Sequence, residues 1–473
     1  MRTRCLFAPN GSPPGRFLLL LFSGLALIAP DATGSHSSHL TPQHGEPGSD
    51  FQIVDPEKRF DTGAEAVFTN TLDEETLISL EIQSSRTLAR GSLPDRFEGG
   101  LYSVSVRVPG EEDFAVGDFV VDTETIDVPS NKYSTLRKAI RNAQSGATIH
   151  IAQGVYQLSQ PLQIEGKYLN ILGAGSDATL LEWSGEDPSE ALEDAADAAA
   201  FDLTAGGQAT IHGLSMTGFS AGVVALPDQE EPWLELHEVE ILASSRGLLW
   251  QAGGHLHATD VLIEGSSNEG VLLKLGDADS SLNFWFTASQ IVDSGSAGFR
   301  IFDSTEGCDE DINRLSDVSI TNSGASGIDA VHSEICVYDS VITSSVTAGF
   351  FATASRGEVA NTLISDSAPD AEGLFGDGAI ALADATTQSD VRLIKNRILN
   401  SARGAISTFG SRLFLEENLL ACQAFDIEAE PWEGFDWVIE VSGSFGAKCA
   451  GCPVPAVIDE DCLLVSACFP SCS

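Results

Sequence analysis

The sequence predicts an all-β chain organised around a solenoid of stacked coils, and two observations carry that expectation. Between Ala221 and Gly410 one phrase keeps returning, an Ile, a polar gap, then Gly with an apolar residue: Ile241…Gly247-Leu248, Ile263…Gly270-Val271, Ile291…Gly298-Phe299, Ile320…Gly327-Ile328, Ile342…Gly349-Phe350 and Ile398…Gly404. With Gly222 and Gly378 included, successive glycines lie 22 to 29 residues apart, the period of a solenoid repeat. A unit this short cannot bury its own apolar face, so each must stack on its neighbours.

The 473 residues leave room for two to four ordinary domains, or for one long solenoid with additions, and 42% hydrophobic content is ample for a core. Twenty-five Lys and Arg against 69 Asp and Glu give a net charge of −44, which repels phosphate backbones and anionic membrane surfaces. Nucleic acid is thereby excluded as a partner. The acidity fits solubility in a salty setting, and carboxylates in this number also suit hard cations such as Ca²⁺.

The N-terminus carries Arg2, Arg4 and Arg16 ahead of the apolar run Phe17 to Ile28, the layout of a signal peptide. Residues 1–34 are predicted to leave by cleavage at Ala32-Thr33-Gly34, and the Ser-, His- and Pro-rich stretch 35–49 reads as a linker. No later stretch is apolar for long enough to anchor the chain, so the expectation is a secreted or cell-surface protein, the periplasm included, with no integral membrane segment. Of nine cysteines, Cys5 leaves with the leader. The even number that remains suggests disulfides in an exported protein.

Residues 50–128 change to short alternating runs. In Leu101 to Val108, Tyr102, Val104, Val106 and Val108 share one face while Ser103, Ser105 and Arg107 share the other, as a half-buried strand requires. The phrase Gly100-Leu101-Tyr102-x-Val resembles a late strand of immunoglobulin-like or fibronectin-like sandwiches, and a small β-sandwich is expected here. A short helix follows. Leu136, Ala139, Ile140 and Ala143 make one apolar stripe, Ser134 is a candidate cap and Gly146 a stop, so the helix should lie as a lid on the first coil.

Beyond the helix come Ala147-Thr148-Ile149-His150-Ile151, Gly154-Val155-Tyr156, Leu162-Gln163-Ile164 and Leu169-Asn170-Ile171-Leu172-Gly173-Ala174-Gly175. From Tyr133 to Gly175 the chain resembles the opening of right-handed parallel β-helix proteins of the pectin lyase-like superfamily, where a capping helix precedes such strands and a Leu-Gly-x-Gly end. The resemblance implies a right-handed parallel β-helix over 131–431. It does not settle function, because that superfamily contains lyases, hydrolases, epimerases, tailspikes and adhesins. Two runs interrupt the period, 303–313 and 365–378, and solenoid insertions fall on loops, where binding usually lives. The acidic stretch 186–200 is expected to form a loop or short helix outside the wall. Asn322, Asn396 and Asn400 are expected at bends, stacked between coils. From 432 to 473 the repeat fades into a Cys-rich tail, the candidate cap for the last coil.

Several constellations could carry chemistry. Cys308 and Cys336 fall ten and nine residues after Gly298 and Gly327, at equivalent places on adjacent coils, and coils about 4.8 Å apart bring such cysteines into disulfide range. Cys422, Cys449, Cys452, Cys462, Cys468 and Cys472 supply three more bridges of open connectivity, with Zn²⁺ at Cys449-x-x-Cys452 as the alternative. Arg392, Lys395, Arg397 and Arg403 form the one basic cluster. The resemblance to superfamily lyases, where a wall Arg or Lys abstracts the proton α to a uronate carboxyl, makes Arg392, Lys395 and Arg397 the catalytic candidates if the chain is an enzyme. Asp366, Asp370, Glu372 and Asp377, with Arg403, are the binding candidates. Asp366, Asp370 and Asp377 are the residues that would hold Ca²⁺, though no cofactor is required. Asp309-Glu310-Asp311 and Asp277-x-Asp279 are lesser acidic clusters. His255-Leu256-His257 places two imidazoles on one face of a strand, with Asp260 the nearest further ligand, and reads as a surface pair.

The paired Asp-Asp, Gly-His-Gly and Arg-Ile-Lys runs of polygalacturonase-like hydrolases are missing, as are the Trp-Ile-Asp-His and Arg-x-Pro-x-x-Arg runs of classical pectate lyases; His212-Gly213 alone is a common repeat phrase. The sequence therefore favours a non-catalytic surface or extracellular scaffold that binds polysaccharide or another cell-surface component along its wall. A polysaccharide lyase or glycoside hydrolase with a divergent site is the alternative.

Overall fold

A computed structural model of the chain describes residues 38–70, 74–185, 195–227, 231–275, 281–304, 307, 313–421, 425–442, 445–447, 457–459 and 462–465. The expected leader lies outside the described residues, as do Asp277, Asp279, Cys308, Asp309, Glu310, Asp311, Cys422, Cys449, Cys452, Cys468 and Cys472. No helix among the described residues is long and apolar enough to cross a membrane.

The N-terminal region is a two-sheet sandwich. One sheet pairs His39–Thr41, Asp50–Val54, Leu88–Ser92 and Glu81–Ile82; the other orders His44–Gly45, Phe114–Val121, Gly100–Arg107, Glu65–Thr69 and Glu75–Ser79. Tyr102, Val104 and Val106 face inward as their alternation requires, and Phe68 holds the centre, with Phe51, Phe97 and Phe119 edge-on at 5.3, 5.4 and 5.6 Å. The boundaries differ from those read off the sequence. His39–Thr41 and His44–Gly45, expected in the linker, are strands of the sandwich. Thr125–Val128, expected as its end, is instead the first strand of the solenoid, parallel to Ala147–Ile151.

The helix spans Leu136–Asn142 and buries Leu136, Ala139 and Ile140 over the first coil. Its N-cap is Thr135 rather than Ser134: the Thr135 hydroxyl accepts from the Lys138 amide. Gly146 lies beyond the helix end with φ of +78°. A side chain there would strike Val121 O, so the position seats the sandwich against the first coil.

From Thr125 onward the chain winds as a right-handed parallel β-helix of three sheets, called here walls 1, 2 and 3, with 13, 12 and 13 strands. Wall 1 starts at Thr125–Val128, wall 2 at Gly154–Leu158 and wall 3 at Leu162–Gln163. Equivalent residues stack in register, so Ile241, Ile263, Ile291, Ile320, Ile342, Ile364 and Ile398 form one apolar column inside wall 2. Between them and wall 3 run the repeat glycines. A Cβ at Gly298 would overlap Ile320 Cγ2 and stand 2.8 Å from Gly327 O, which is why the phrase keeps glycine there. The coils continue past 431: Val438–Ser442 and Phe445–Ala447 extend walls 1 and 2. Wall 3 ends in the hairpin Val457–Asp459 and Cys462–Val465, laid antiparallel on Phe425–Glu430, which closes the sheet edge.

Polar spines hold the corners. At the corner between walls 1 and 2, each coil's backbone N–H donates to a side chain of the next: Val318 to Ser340, Ser340 to Thr362, Thr362 to Asn396, and Asn396 to Asn418. Asn396 is thus the stacking residue its sequence position suggested, while Asn322 and Asn400 donate across coils to Asp293 and Asp366. A second spine runs from wall 3 to wall 1 through Ser333, Ser355, Ser389 and Ser411. The glycine column gives a direct test. Gly298→Ala should lower stability by about 1–3 kcal/mol through overpacking, seen as a drop in the thermal midpoint; an unchanged midpoint would refute this packing account.

Candidate functional site

Corner length picks out one wall. Between walls 1 and 2 the chain turns on a single left-handed residue in coil after coil, among them Glu238, Asp260, Ala288, Asp317, Asp339, Asn361, Lys395 and Glu417. Apart from the six-residue turn 173–178, the longer connections adjoin wall 3: 184–200 and 366–376 precede its strands, while 226–232, 275–281, 303–313 and 383–389 follow them. The outer face of wall 3, called here the trough, is therefore flanked on both edges, among the described residues by 195–200 and 366–376 on one and by 383–389 on the other. On one rim, Ala195 and Ala199 of the short 3-10 turn Ala195–Ala198 and its exit pack on Val224, Leu249 and Leu272 outside the wall, while residues 186–194 of the expected acidic excursion lie outside the described residues. Farther along, Phe375 leans edge-on against Phe351 at 5.8 Å, and Trp432 against Phe409 at 6.1 Å.

Along the floor one column of outward side chains runs in register as Leu272, Arg300, Asp329, Phe351, Ile380, Ser407 and Glu428. Two ion clusters interrupt its apolar character. In the first, Arg246 Nε donates to Glu269 Oε2 at 3.0 Å, and Arg300 reaches Glu269 with Nη1 at 3.6 Å and Asp329 with Nε at 2.9 Å. The Arg300 contact to Asp329 is close but lacks a well-aimed hydrogen bond. Burial pushes the Asp329 carboxyl up, Arg300 opposes that, and the Glu269 charge pushes it up again. The Asp329 side chain is 13% exposed and that of Arg300 33%, so both are reachable from the trough. Arg300 lies over the Phe302 ring at 4.8 Å, with the exposed Lys274 ammonium 6.0 Å from the same ring. On the rim, His332 bridges Asp384 at 2.7 Å and Asp303 at 3.5 Å; His332 and the amides of Thr386 and Thr387 hold Asp384 well below the usual carboxylate range.

The second cluster gathers three charges under cover. Arg403 meets Asp377 at 3.3 Å and also pairs with Glu428, while Gly404 N and Ser407 Oγ donate to Asp377 at 2.9 and 2.8 Å. The two carboxylate side chains are 0% and 1% exposed. Burial pushes both up, Glu428 to about 7, because one guanidinium cannot offset two buried carboxylates.

The remaining sequence candidates disperse. Arg392 projects from wall 1, paired with Glu358 at 2.9 Å over the Phe414 ring; Lys395 occupies the next corner near Glu417; and Arg397 lies exposed on wall 2. Each strand of a coil belongs to a different sheet, so neighbours in sequence end up on different walls. Among the acidic candidates, Asp370 caps its own loop by accepting from Leu374 N and Phe375 N, Asp366 is held by Ser365 and Asn400, Glu372 is exposed, and Asp377 is buried beneath Arg403. They do not converge, and no group of three His, Cys, Asp or Glu that could hold a metal ion occurs among the described residues. Cys336 is disulfide-bonded, with its expected partner Cys308 outside the described residues; Cys462 opens the terminal strand.

Sequence reasoning missed Arg246, Glu269, Arg300 and Asp329. The signal was present: aligned on the repeat glycine, the second residue after it is Leu249, Leu272 and Phe351 in other coils but Arg300 and Asp329 in two adjacent ones.

No family model matches the sequence, and no curated protein matches it. Among solved structures, the chain is similar to the catalytic domain of a GH87 alpha-1,3-glucanase in complex with nigerose, at 9% identity and a TM-score of 0.47, covering 85% of this chain and 91% of that one. It is also similar to an alginate lyase from Paenibacillus sp. str. FPU-7, at 15% identity, TM-score 0.33 and coverage of 67% and 99%. A third likeness is to the A-module of the Azotobacter vinelandii mannuronan C-5 epimerase AlgE4, at 15% identity, TM-score 0.37 and coverage of 69% and 100%. At these scores the overlaps bear on neither substrate nor mechanism.

The buried cluster makes the last coils pH-sensitive. A carboxyl raised from 4.5 to about 7 keeps its proton in the fold when the unfolded chain has released it, so stability is highest below pH 4.5 as far as this group is concerned and falls as pH rises to about 7. Thermal midpoints across that range should show a decline that flattens in Glu428→Gln; an unaltered slope in the variant would refute the assignment. Arg403→Ala leaves two buried carboxylates uncompensated and should cost about 3–5 kcal/mol at neutral pH, measured by denaturant unfolding.

Proposed function

We propose that the trough over wall 3 binds an extended polysaccharide and cleaves its glycosidic bonds, with Asp329 as the proton donor to the leaving oxygen. The observation that carries this reading is the Asp329 carboxyl itself, raised by burial and by Glu269 yet still open to the trough. A carboxyl raised by burial, with a second carboxylate near it and its face open to a substrate, has the character a general acid requires. Glu269, on the other side of the Arg300 guanidinium, is the second carboxylate. Glycoside hydrolysis needs such a second carboxylate, either to activate water or to attack the anomeric carbon itself. Arg300 and Lys274 over Phe302 offer a ring face with positive charge beside it, which suits an acidic sugar. Phe351 and Phe375 extend the apolar floor for further sugar rings. A polymer substrate of this kind agrees with an exported protein acting at or beyond the cell surface.

A second reading, a non-catalytic glycan-binding wall, is favoured by one feature: Glu269 and Asp329 are each already faced by an arginine, Arg246 and Arg300. The same experiment separates the two. Mature protein is incubated with uronate-rich and neutral polysaccharides while new reducing ends and unsaturated-product absorbance are followed. The expected outcome is product from the wild type, with kcat reduced by about 10²–10⁴ in Asp329→Asn and glycan retention preserved. Wild-type product undiminished in Asp329→Asn would remove Asp329 from the mechanism. Retention without product across the panel would establish the binding wall.

A further inference from the structure

The outward face of wall 1 carries an unexplained concentration of polar and aromatic groups where the sandwich abuts it. Leu101 and Val120 of the sandwich pack on Tyr168 and Trp233 of the first coils, so the sandwich closes one end of this face. Beside that contact, successive coils place Glu235, His257, Trp285 and Arg314 in one register column, with Trp233, His255 and Asn283 in the next. Trp285 stands out. Its outward position leaves it 39% exposed, whereas Trp233 and Trp250 are buried, and no packing need keeps an indole on a solvent-facing wall. Its ring is held edge-on by His257 at 6.2 Å, and His257 in turn by His255 at 6.2 Å, so the platform is braced by two imidazoles while part of the indole stays exposed.

The chemistry around it is that of sugar recognition. An exposed indole offers a flat apolar face for the C–H face of a pyranose, while imidazole and amide groups standing beside it give and accept hydrogen bonds from ring hydroxyls. Burial holds His257 below the ordinary imidazole value despite Glu235, so it presents one donor and one acceptor nitrogen at neutral pH. Glu235 next to it and Asp118 on the facing sandwich strand bring negative charge to the site, while Arg314, the cation beside Trp285 in the column, lies over the Tyr338 ring at 4.8 Å; this balance disfavours anionic sugars.

We propose that the groove between the sandwich and wall 1 is a second glycan site, in which Trp285 stacks on a neutral pyranose ring and His255, His257 and Asn283 take its hydroxyls. The site is independent of wall 3 and of any activity there. Its role is to hold a polymer chain.

The test uses the intact protein and the intrinsic fluorescence of Trp285. Wild type, Trp285→Ala, Trp285→Phe and His257→Ala are titrated at neutral pH with neutral β- and α-linked gluco-, manno- and xylo-oligosaccharides and with oligouronates. The expected result is a saturable change in tryptophan emission with a neutral oligosaccharide, absent in Trp285→Ala. Affinity in His257→Ala, which keeps the reporting indole, should fall about five- to tenfold. Retardation in gels containing the same glycan should fall at least tenfold for Trp285→Ala and less for Trp285→Phe. The proposal is overturned if no neutral oligosaccharide perturbs the emission, if oligouronates alone do so, or if both the emission change and the retardation survive in Trp285→Ala. Near-identical circular dichroism of the variants checks that this exposed position leaves the fold intact.

Discussion

Each coil of this protein is completed by the next one. Backbone N–H and C=O groups of all three walls pair between coils, about 4.8 Å apart, and the corner side chains continue the pairing where the strands stop. Val318, Ser340, Thr362, Asn396 and Asn418 form such a spine, each backbone N–H bound by the side chain one coil on. Removing one coil would leave the next with unpaired polar groups along its whole length. The glycine column follows from the same stacking, because the Ile column of wall 2 and the backbone of the next coil occupy the space a Cβ would take.

This constraint decides where the chain is free to vary. Beyond the early turn 173–178, the corner between walls 1 and 2 is threaded by its spine and holds to one left-handed residue per turn, so that edge stays short. Loops gather instead on the two edges of wall 3, and its outer face becomes sheltered by position alone. Shelter changes the electrostatics. Outward residues on walls 1 and 2, such as Arg397 and Arg392, remain in solvent, whereas on wall 3 charges are partly withdrawn from water and must be answered. Arg246, Glu269, Arg300 and Asp329 alternate in sign along the stack for that reason.

The two clusters on wall 3 then divide by exposure. Asp377 and Glu428 share Arg403 beneath the surface, and their displaced proton equilibria act on stability. Asp329 has a displaced equilibrium too, but opens on a trough with cations and aromatic rings at hand. The same physical cause, burial of a carboxyl, is structural in one place and chemically usable in the other because only one of them meets solvent. Wall 1 adds a third case: Trp285 is partly exposed there, with His257 half-buried against it, and what the pair offers is a ring face and hydrogen-bonding nitrogens rather than a displaced carboxyl.

What the sequence by itself determined is the repeating part. Glycine spacing, the Ile phrase, the alternation around Tyr102 and the apolar stripe from Leu136 are local patterns with a period, and period alone fixes the solenoid, the sandwich strands and the lid. Only the tertiary structure decided the site. Arg392, Lys395, Arg397 and Arg403 are close in sequence but part onto different walls and corners, because a coil turns a corner every few residues. Arg246, Glu269, Arg300 and Asp329 are 23 to 31 residues apart yet meet, because stacking brings equivalent positions of successive coils together. In a solenoid, nearness along the chain and nearness in space run at right angles, so a functional cluster is assembled down the stack by register rather than along the sequence by spacing.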